Sequence, residues 1–206
     1  MRNDCIYIVL TRTNTVISKL IHTIKHDAYT HAAISLDKNF EQMYSFGRRS
    51  TYNPFIGKFR KEDLDGGVYN LCPALPGVII EIKVTGRQYK KAKALIEHFT
   101  SKGDVYKYNY MGILHSFLNK PVNSDNRFLC SEFVYHVLRE SEVVELGIPR
   151  NLVRPQDLLK IPGTIVYEGD LKKMPLSGHH HREMTSLSLL SNPNPSTNIG
   201  LIPQSQ

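Results

Sequence analysis

Apolar residues with two different spacings predict a chain that mixes strands and helices. Residues 5–13 form a β-branched and aromatic run, which is typical of a buried strand. In residues 85–103, by contrast, apolar positions recur every three or four residues, and Thr85 offers a helix cap. Applied from the N-terminus to residue 84, these patterns predict a strand at 5–13, a helix at 15–29, strands at 30–37 and 41–48, a surface loop at 49–67 and strands at 68–72 and 78–84. Beyond the helix at 85–103 they predict a helix within 128–138 after an extended start, a shorter helix at 148–162 and a strand at 164–167.

The composition changes after about residue 171, where Pro, Ser and Asn become frequent and the periodicity fades. We therefore predict one domain over residues 1–170 and a disordered C-terminal tail over 171–206. The chain has 206 residues, 41% of them hydrophobic, which is enough for a core of its own. The His179-His180-His181 triplet has no Cys or carboxylate at ligand spacing, so neither a metal site nor another cofactor is expected.

The charge balance suggests an anionic partner, but its distribution does not support one. Lys and Arg number 26 against 19 Asp and Glu, a formal net charge of +7. Much of the excess lies on one face of the predicted helix at 85–103, which carries Arg87, Lys90, Lys91 and Lys93. No recognised nucleic-acid motif and no interleaved aromatic residues accompany that face. A solvated helix surface is therefore favoured over a nucleic-acid partner.

The cysteine count and the first residues indicate a reducing compartment. The apolar run after Arg2 is too short for a signal peptide, and no stretch approaches the ~20 apolar residues of a spanning helix. The three cysteines, Cys5, Cys72 and Cys130, have no disulfide-like spacing. We expect a cytoplasmic protein with free thiols and no transmembrane segment. The pattern leaves the oligomeric state open.

Cys130 is a candidate nucleophile because of its position at the start of a predicted helix. The unpaired N–H groups and the positive end of the dipole at a helix N-terminus favour a thiolate, which is the nucleophilic form. The same N–H groups can stabilise the oxyanion that forms when a thiolate attacks a carbonyl. The alternative is that Cys130 is a small buried core residue, which is common for cysteine. Cys5 and Cys72 lie in strand-like apolar settings and are interpreted as core residues.

His31 is the candidate base, because a nucleophilic cysteine needs an imidazole to accept its proton. It begins a predicted strand and is followed by small apolar residues, which would leave its ring room to face a cleft. A structural histidine remains the alternative. If the turn centres on Lys38-Asn39, Ser45 lies about opposite His31 and is the plainest group to orient the ring.

Other orienting groups are open on the same strand. Tyr44 would serve if the register slips, and Gln42 and Glu41 lie nearer the turn.

Two segments together resemble a known family. THAAISLDKNFEQMYSFGRR is followed about a hundred positions later by RFLCSEFVYHVL, then by a P-x-D-L segment and a VYEG strand. These strings resemble the circularly permuted branch of the NlpC-like papain-fold cysteine peptidases, in which the strand-borne His precedes the Cys. The resemblance covers roughly residues 5–170. It implies an α+β, circularly permuted papain-like fold with an antiparallel sheet packed against helices.

The resemblance also implies roles for residues of this chain. Cys130 would be the nucleophile, His31 the general base, and a polar residue on the strand after His31 would complete the site. Ser45 is the predicted third member, with Gln42 and Glu41 as alternatives.

The function expected from these residues is that of a thiol hydrolase, a peptidase or amidase. It would cleave an amide or peptide bond through a Cys130 acyl-enzyme, with His31 as general base. One alternative is an acyltransferase or thioesterase on the same fold, with an acyl-lipid substrate. Another is a non-catalytic module that binds a peptide or lipid headgroup.

Overall fold

Six strands form one antiparallel sheet in the computed structural model, which describes residues 4–13, 26–48, 57–103, 105–108 and 126–175. The strand order is β4-β3-β2-β1-β5-β8, so β4 and β8 lie at the two edges. The strands of this sheet are β1 (Asp4–Thr11), β2 (His31–Ser35), β3 (Met43–Arg48), β4 (Gly57–Glu62), β5 (Pro76–Val84) and β8 (Thr164–Asp170). Two short strands, β6 (Lys107–Tyr108) and β7 (Arg127–Phe128), form a separate parallel pair.

Three α-helices and three 3₁₀ turns accompany the sheet in the described part of the chain. The α-helices are α1 (Gly67–Asn70), α2 (Gly86–Ser101) and α3 (Cys130–Glu140). The 3₁₀ turns are Arg150–Leu152, Pro155–Lys160 and Leu171–Lys173. The predicted α+β class with an antiparallel sheet packed against helices is thereby confirmed.

The sequence of β1 reads as continuous apolar residues because the strand is buried on both faces. It pairs with β2 on one side and with β5 on the other. Ile6, Ile8 and Leu10 belong to the core that includes α2 and α3, and the alternate residue Val9 is also fully buried. The two-sided burial fits the place of β1 in the interior of the sheet, between β2 and β5.

Phenylalanine rings join α3 to the sheet and to α2. Phe133 of α3 lies 5.5 Å from Phe46 of β3, 5.3 Å from Phe59 of β4 and 5.1 Å from Phe99 of α2, measured between ring centroids. Phe128, two residues before Cys130, lies 5.3 Å from Phe46. Aromatic side chains of this size dominate core packing, so the cluster fixes the position at which α3 begins.

Several predicted elements are confirmed with small changes in their bounds, and others are wrong. The loop predicted at 49–67 is wrong over residues 57–62, which form β4, and the strand predicted at 68–72 is wrong because Gly67–Asn70 are helical. The helix predicted at 148–162 is replaced by two 3₁₀ turns, because Pro155 disfavours a helical conformation of Arg154. The helix predicted at 15–29 falls largely outside the described residues.

The chain divides into a unit over Met1–Met174 and a second over Pro175–Gln206. Local structure continues beyond the predicted boundary at residue 170, since Leu171 is buried and its N–H donates to the carbonyl of Leu75 at 2.9 Å. Of the predicted tail, residues 176–206 lie outside the described ranges. None of the helices described here is both long and apolar enough to cross a membrane.

Candidate active site

Cys130 is the first residue of α3 and is 7% exposed. The preceding residue, Leu129, has extended backbone geometry and supplies no side-chain cap. The first helical hydrogen bond runs from the N–H of Phe133 to the carbonyl of Leu129, so the N–H groups of Cys130 and Ser131 precede the helical ladder. The thiol therefore lies beside backbone donors that the helix itself does not use.

His31 begins β2, and both its neighbours in the site come from distant parts of the sequence. Its Nε2 donates to both carboxylate oxygens of Glu62, at 3.1 Å to Oε1 and 3.1 Å to Oε2. The Cys130 side chain lies close enough to interact with the ring through charge and hydrogen bonding. Because Nε2 is engaged by Glu62, Nδ1 is the ring nitrogen left for the thiol. The imidazole thus stands between a thiol and a carboxylate.

Glu62 is the last residue of β4 and is 6% exposed. Besides His31, it accepts a hydrogen bond from the phenol of Tyr69, with 2.6 Å between Tyr69 Oη and Glu62 Oε2. Tyr69 lies on α1, which begins at Gly67 with a φ of +57°. A Cβ at Gly67 would lie 2.7 Å from Nη2 of Arg60, so glycine gives both the left-handed backbone and the room for that guanidinium.

The carboxylate and the imidazole stabilise each other's charged forms. Burial alone would lower the pKa of His31, but the charge of Glu62, followed by the contribution of Cys130 and the hydrogen bonds, raises it to about 10. Burial would favour a neutral Glu62, yet the positive charge of His31 and the hydrogen bonds from His31 and Tyr69 lower its pKa, with a smaller contribution from Arg60. At neutral pH the site therefore holds an imidazolium against a carboxylate.

Tyr69 remains a hydrogen-bond donor throughout the physiological range. Burial, and then the charge of Glu62 and the hydrogen bond to it, raise the pKa of Tyr69 well above its ordinary value. At neutral pH the phenol is therefore protonated while Glu62 is ionised, and a hydrogen bond to a charged acceptor is the stronger kind.

Ser45, the predicted third member, does not contact the imidazole. Its hydroxyl is fully buried and donates to the carbonyl of Ala32 at 2.7 Å. The position against the ring nitrogen is occupied by Glu62 instead. Ser45 thus joins β2 to β3 and lies away from the ring nitrogen that it was predicted to orient.

The observed register explains why Ser45 misses the ring. Strands β2 and β3 pair Ile34 with Tyr44, which places Gly47 opposite His31 when the register is extended. A Cβ at Gly47 would lie 3.9 Å from Cε1 of His31 and 3.1 Å from Oε1 of Glu62. The absence of a side chain at Gly47 leaves room for the carboxylate beside the ring.

The other predicted orienters also lie away from the imidazole. Tyr44 stacks on Phe59, with 5.8 Å between the ring centroids. Gln42 and Glu41 are exposed at the turn, where their backbone N–H groups donate to the carboxylate of Asp37. The remaining cysteines fit the predicted core role in part, since Cys72 is buried and Cys5 is half-buried.

Sequence reasoning missed Glu62 and Tyr69. Glu62 stands in the charged string KFRKED, which looks like surface, and it lies 31 residues from His31. The available signal was a single apolar residue, Phe59, between charged neighbours, which is compatible with an edge strand.

Comparison with protein-family models, with curated proteins and with solved structures found no match for this chain. Within the described ranges, no group of three or more His, Cys, Asp and Glu side chains is arranged to hold a metal ion. The triplet at 179–181 lies outside them.

Proposed function

We propose that this protein is a thiol hydrolase, a peptidase or amidase, in which Cys130 is the nucleophile, His31 the general base and Glu62 the residue that orients His31. The observation that carries the proposal is the largely buried arrangement in which His31 interacts with both Cys130 and Glu62. A nucleophile, a base and a third group behind the base are the parts that covalent acyl transfer requires.

The proposed order of the elements is that of a circularly permuted papain-like enzyme. The strand that carries His31 precedes the helix that begins with Cys130, and the sheet is antiparallel. This order and this position of the thiol support the finer fold assignment made from the sequence, which we retain as part of the proposal.

In the first half of the reaction, the Cys130 sulfur attacks the substrate carbonyl carbon while its proton resides on His31. A carbon–sulfur bond forms, and the carbonyl electron pair moves to oxygen. The N–H groups at the start of α3 are suitably placed to stabilise that oxyanion. The carbonyl then re-forms, the carbon–nitrogen bond breaks, and His31 gives its proton to the leaving amine.

In the second half, His31 takes a proton from water, which attacks the thioester carbon. The carbon–sulfur bond breaks, the acid product leaves, and the Cys130–His31 pair is restored. Glu62 keeps the ring oriented and balances its charge through both steps. The same thioester can pass its acyl group to another acceptor, so acyl transfer, including transfer from an acyl lipid, is the second possible outcome of one mechanism.

The proposed setting is cytoplasmic, and no cofactor takes part in the proposed steps. None of the three cysteines forms a disulfide, which suits a reducing compartment where Cys130 stays available for attack.

Acylation by p-nitrophenyl acetate tests the proposal without knowledge of the natural substrate. We expect release of p-nitrophenol with transfer of one acetyl group to the peptide that contains Cys130, detected by mass spectrometry. Cys130→Ala abolishes this transfer, and His31→Ala slows it by roughly 100-fold or more because the base is lost. Cys5→Ala serves as the matched control and leaves the rate unchanged.

Two results would contradict the proposal. Acetylation of Cys130 at a rate no higher than that of Cys5 and Cys72 would show that Cys130 is not activated and would favour the binding-module alternative. An unchanged rate in His31→Ala would remove His31 from the mechanism.

A further inference from the structure

The Glu62 carboxylate is held from two sides, and the proposed mechanism uses one of them. His31 engages both of its oxygens, and the phenol of Tyr69 donates to Oε2 at 2.6 Å, a shorter contact than either one with His31. Tyr69 is 5% exposed and comes from α1, a different element from the strands that carry His31 and Glu62. A carboxylate bound between an imidazole and a buried phenol has little freedom to rotate away from the ring.

We propose that Tyr69 is a positioning residue that holds the Glu62 carboxylate against His31, so that the functional unit is a chain of four side chains, Cys130, His31, Glu62 and Tyr69. This inference rests on the proposed function and extends its site by one residue. Tyr69 acts through Glu62 and is not assigned any contact with substrate.

Local geometry favours this role over simple packing. The Tyr69 ring stands edge-on to the His31 ring, with 6.2 Å between centroids, so the phenol reaches Glu62 alongside the imidazole. Gly67 and Gly47 leave space on either side, for the guanidinium of Arg60 and for the Glu62 carboxylate respectively. The charged or titratable groups that act on Glu62 are His31, Tyr69 and Arg60, and Cys130 acts on His31.

Thr11 lies next to this chain of groups. It pairs with His31 across β1 and β2 and is completely buried. Its hydroxyl lies close enough to Tyr69 to oppose, in small part, the effect of burial and of Glu62 on the phenol. Among the described residues, that hydroxyl has no hydrogen-bond partner of normal geometry. Thr11 therefore packs beside Tyr69, at the end of the row of four side chains, and makes no hydrogen bond of normal geometry to Glu62.

Deletion of the Tyr69 hydroxyl should shift the pH profile of the reactivity of Cys130. The hydrogen bond from Tyr69 favours the charged form of Glu62, so its loss raises the pKa of Glu62. Glu62 then takes up its proton at higher pH. On acidification, the His31 ring therefore loses the carboxylate that orients it toward Cys130 at a higher pH than in the wild type. A residue that served packing alone would change rates at every pH without moving the profile.

Alkylation of Cys130 by iodoacetamide across the acidic to alkaline range tests this, with the modified peptide quantified by mass spectrometry. In Tyr69→Phe we expect the acid limb of the profile to move up by about one pH unit, which makes alkylation about tenfold slower on that limb. Tyr7→Phe is the matched control, because Tyr7 is 9% exposed and its phenol donates to Glu81 at 3.0 Å. It leaves the profile in place.

A second replacement keeps the test decisive if Tyr69→Phe does not fold. Replacement of Tyr69 by 3-fluorotyrosine keeps the shape and makes the phenol a stronger donor, so the acid limb moves to lower pH. A profile that stays in place with 3-fluorotyrosine, or in a folded Tyr69→Phe variant, overturns the inference.

Failure of the inference can be told apart from failure of the proposed function. If His31→Ala suppresses alkylation of Cys130 while Tyr69→Phe leaves the profile in place, only the role of Tyr69 is overturned. If His31→Ala leaves alkylation of Cys130 unchanged, the proposed function fails and the inference fails with it.

Discussion

The two longer helices in the described part of the chain, α2 and α3, begin differently. At α2, the Thr85 hydroxyl accepts the N–H of Gln88 at 3.3 Å, and Gln88 Oε1 accepts the N–H of Thr85 at 2.9 Å. At α3, Leu129 occupies the capping position, caps nothing with its side chain and is followed directly by Cys130. In both helices a side chain three residues on accepts the N–H of the capping residue, since Glu132 Oε2 accepts the N–H of Leu129 at 3.3 Å as Gln88 does for Thr85. The capping residue of α2 also accepts an N–H of the first turn with its own side chain, whereas Leu129 cannot, so α3 leaves those first-turn N–H groups beside a thiol.

The difference shows where each helix obtains its stability. The first turn of α2 is stabilised locally by its capping box. The start of α3 has the hydrogen bond from Leu129 to Glu132 but no capping hydroxyl, and the helix is held largely by packing, with Phe133, Val134, Val137 and Leu138 all fully buried. A helix secured in this way can keep its N-terminus free for chemistry, which is the role we propose for it. The predictions below test this contrast.

The largest effect is expected at Glu62, the carboxylate that is hydrogen-bonded to His31. Glu62→Gln leaves a largely buried imidazole without its countercharge, and we expect the free energy of unfolding at neutral pH to fall by on the order of 3 kcal/mol. Urea unfolding followed by circular dichroism measures it. Glu81→Gln is the control, since Glu81 accepts from Tyr7 on the sheet and has no contact with the site. Equal losses in the two variants would contradict the account.

The pH dependence of stability follows from the same pair. The pKa of His31 is raised from 6.5 to about 10, so its stabilising contribution is complete below about 6.5 and is lost as the pH rises toward 10. The pKa of Glu62 is lowered from 4.5, so its contribution is present above 4.5 and is lost as the pH falls below it. Unfolding free energies measured between neutral pH and pH 10 should therefore decline more steeply in the wild type than in Glu62→Gln. Parallel declines would count against a charged His31.

A cap added to α3 should raise stability and reduce acylation. Leu129→Ser supplies the hydroxyl that α3 lacks, and relative to Leu129→Ala we expect a gain of about 1 kcal/mol. The new hydroxyl competes for the N–H groups of the first turn, so acetylation of Cys130 should slow by about tenfold relative to Leu129→Ala. A gain in stability with no change in acetylation would mean that those donors take no part in the reaction.

Removal of the cap from α2 should affect stability alone. Thr85→Ala deletes the hydroxyl that accepts from Gln88, and we expect a loss of about 1 kcal/mol in the free energy of unfolding. Acetylation of Cys130, measured with p-nitrophenyl acetate, should stay at the wild-type rate. A slower rate in a fully folded Thr85→Ala protein would show that the two helix starts are coupled.

The smallest effects are expected at two glycines. A Cβ at Gly47 would lie 3.1 Å from Glu62 Oε1, so Gly47→Ala should displace the carboxylate and slow acetylation several-fold. At Gly86, the first residue of α2, a Cβ would lie 3.4 Å from Oδ2 of Asp4, and Gly86→Ala should stabilise the helix by about 0.5 kcal/mol. Acetylation rates of the two variants beside their melting curves test both, and a Gly47→Ala rate equal to that of Gly86→Ala would contradict the first.

The elements with a strong apolar pattern could be predicted from the sequence. So could the positions of Cys130 at the start of a helix and of His31 at the start of a strand. The helix that begins after Thr85 and the helix that begins at Cys130 have clear apolar faces and are confirmed. The strand predicted at 30–37 is confirmed over His31–Ser35. Cys130 and His31 lie near enough to interact, and their roles in a reaction stay a prediction.

The rest of the site could not be predicted because it depends on register and on weakly apolar segments. Ser45 misses the ring because the turn between β2 and β3 places Gly47 opposite His31, a shift that turn residues alone do not determine. Glu62 lies on an edge strand with one core side chain, Phe59, so neither its strand nor its burial is evident from the pattern. A contact between residues 31 positions apart has no local signal.

The ionisation of His31 tests the central claim most directly. Titration of ¹⁵N-labelled histidine by NMR, with the His31 signal assigned by its loss in His31→Ala, gives this pKa in the folded protein. We predict a pKa of about 10 in the wild type and a markedly lower pKa in Glu62→Gln, where the charge of Glu62 no longer opposes the effect of burial. A His31 pKa near 6.5 in both proteins would contradict the account.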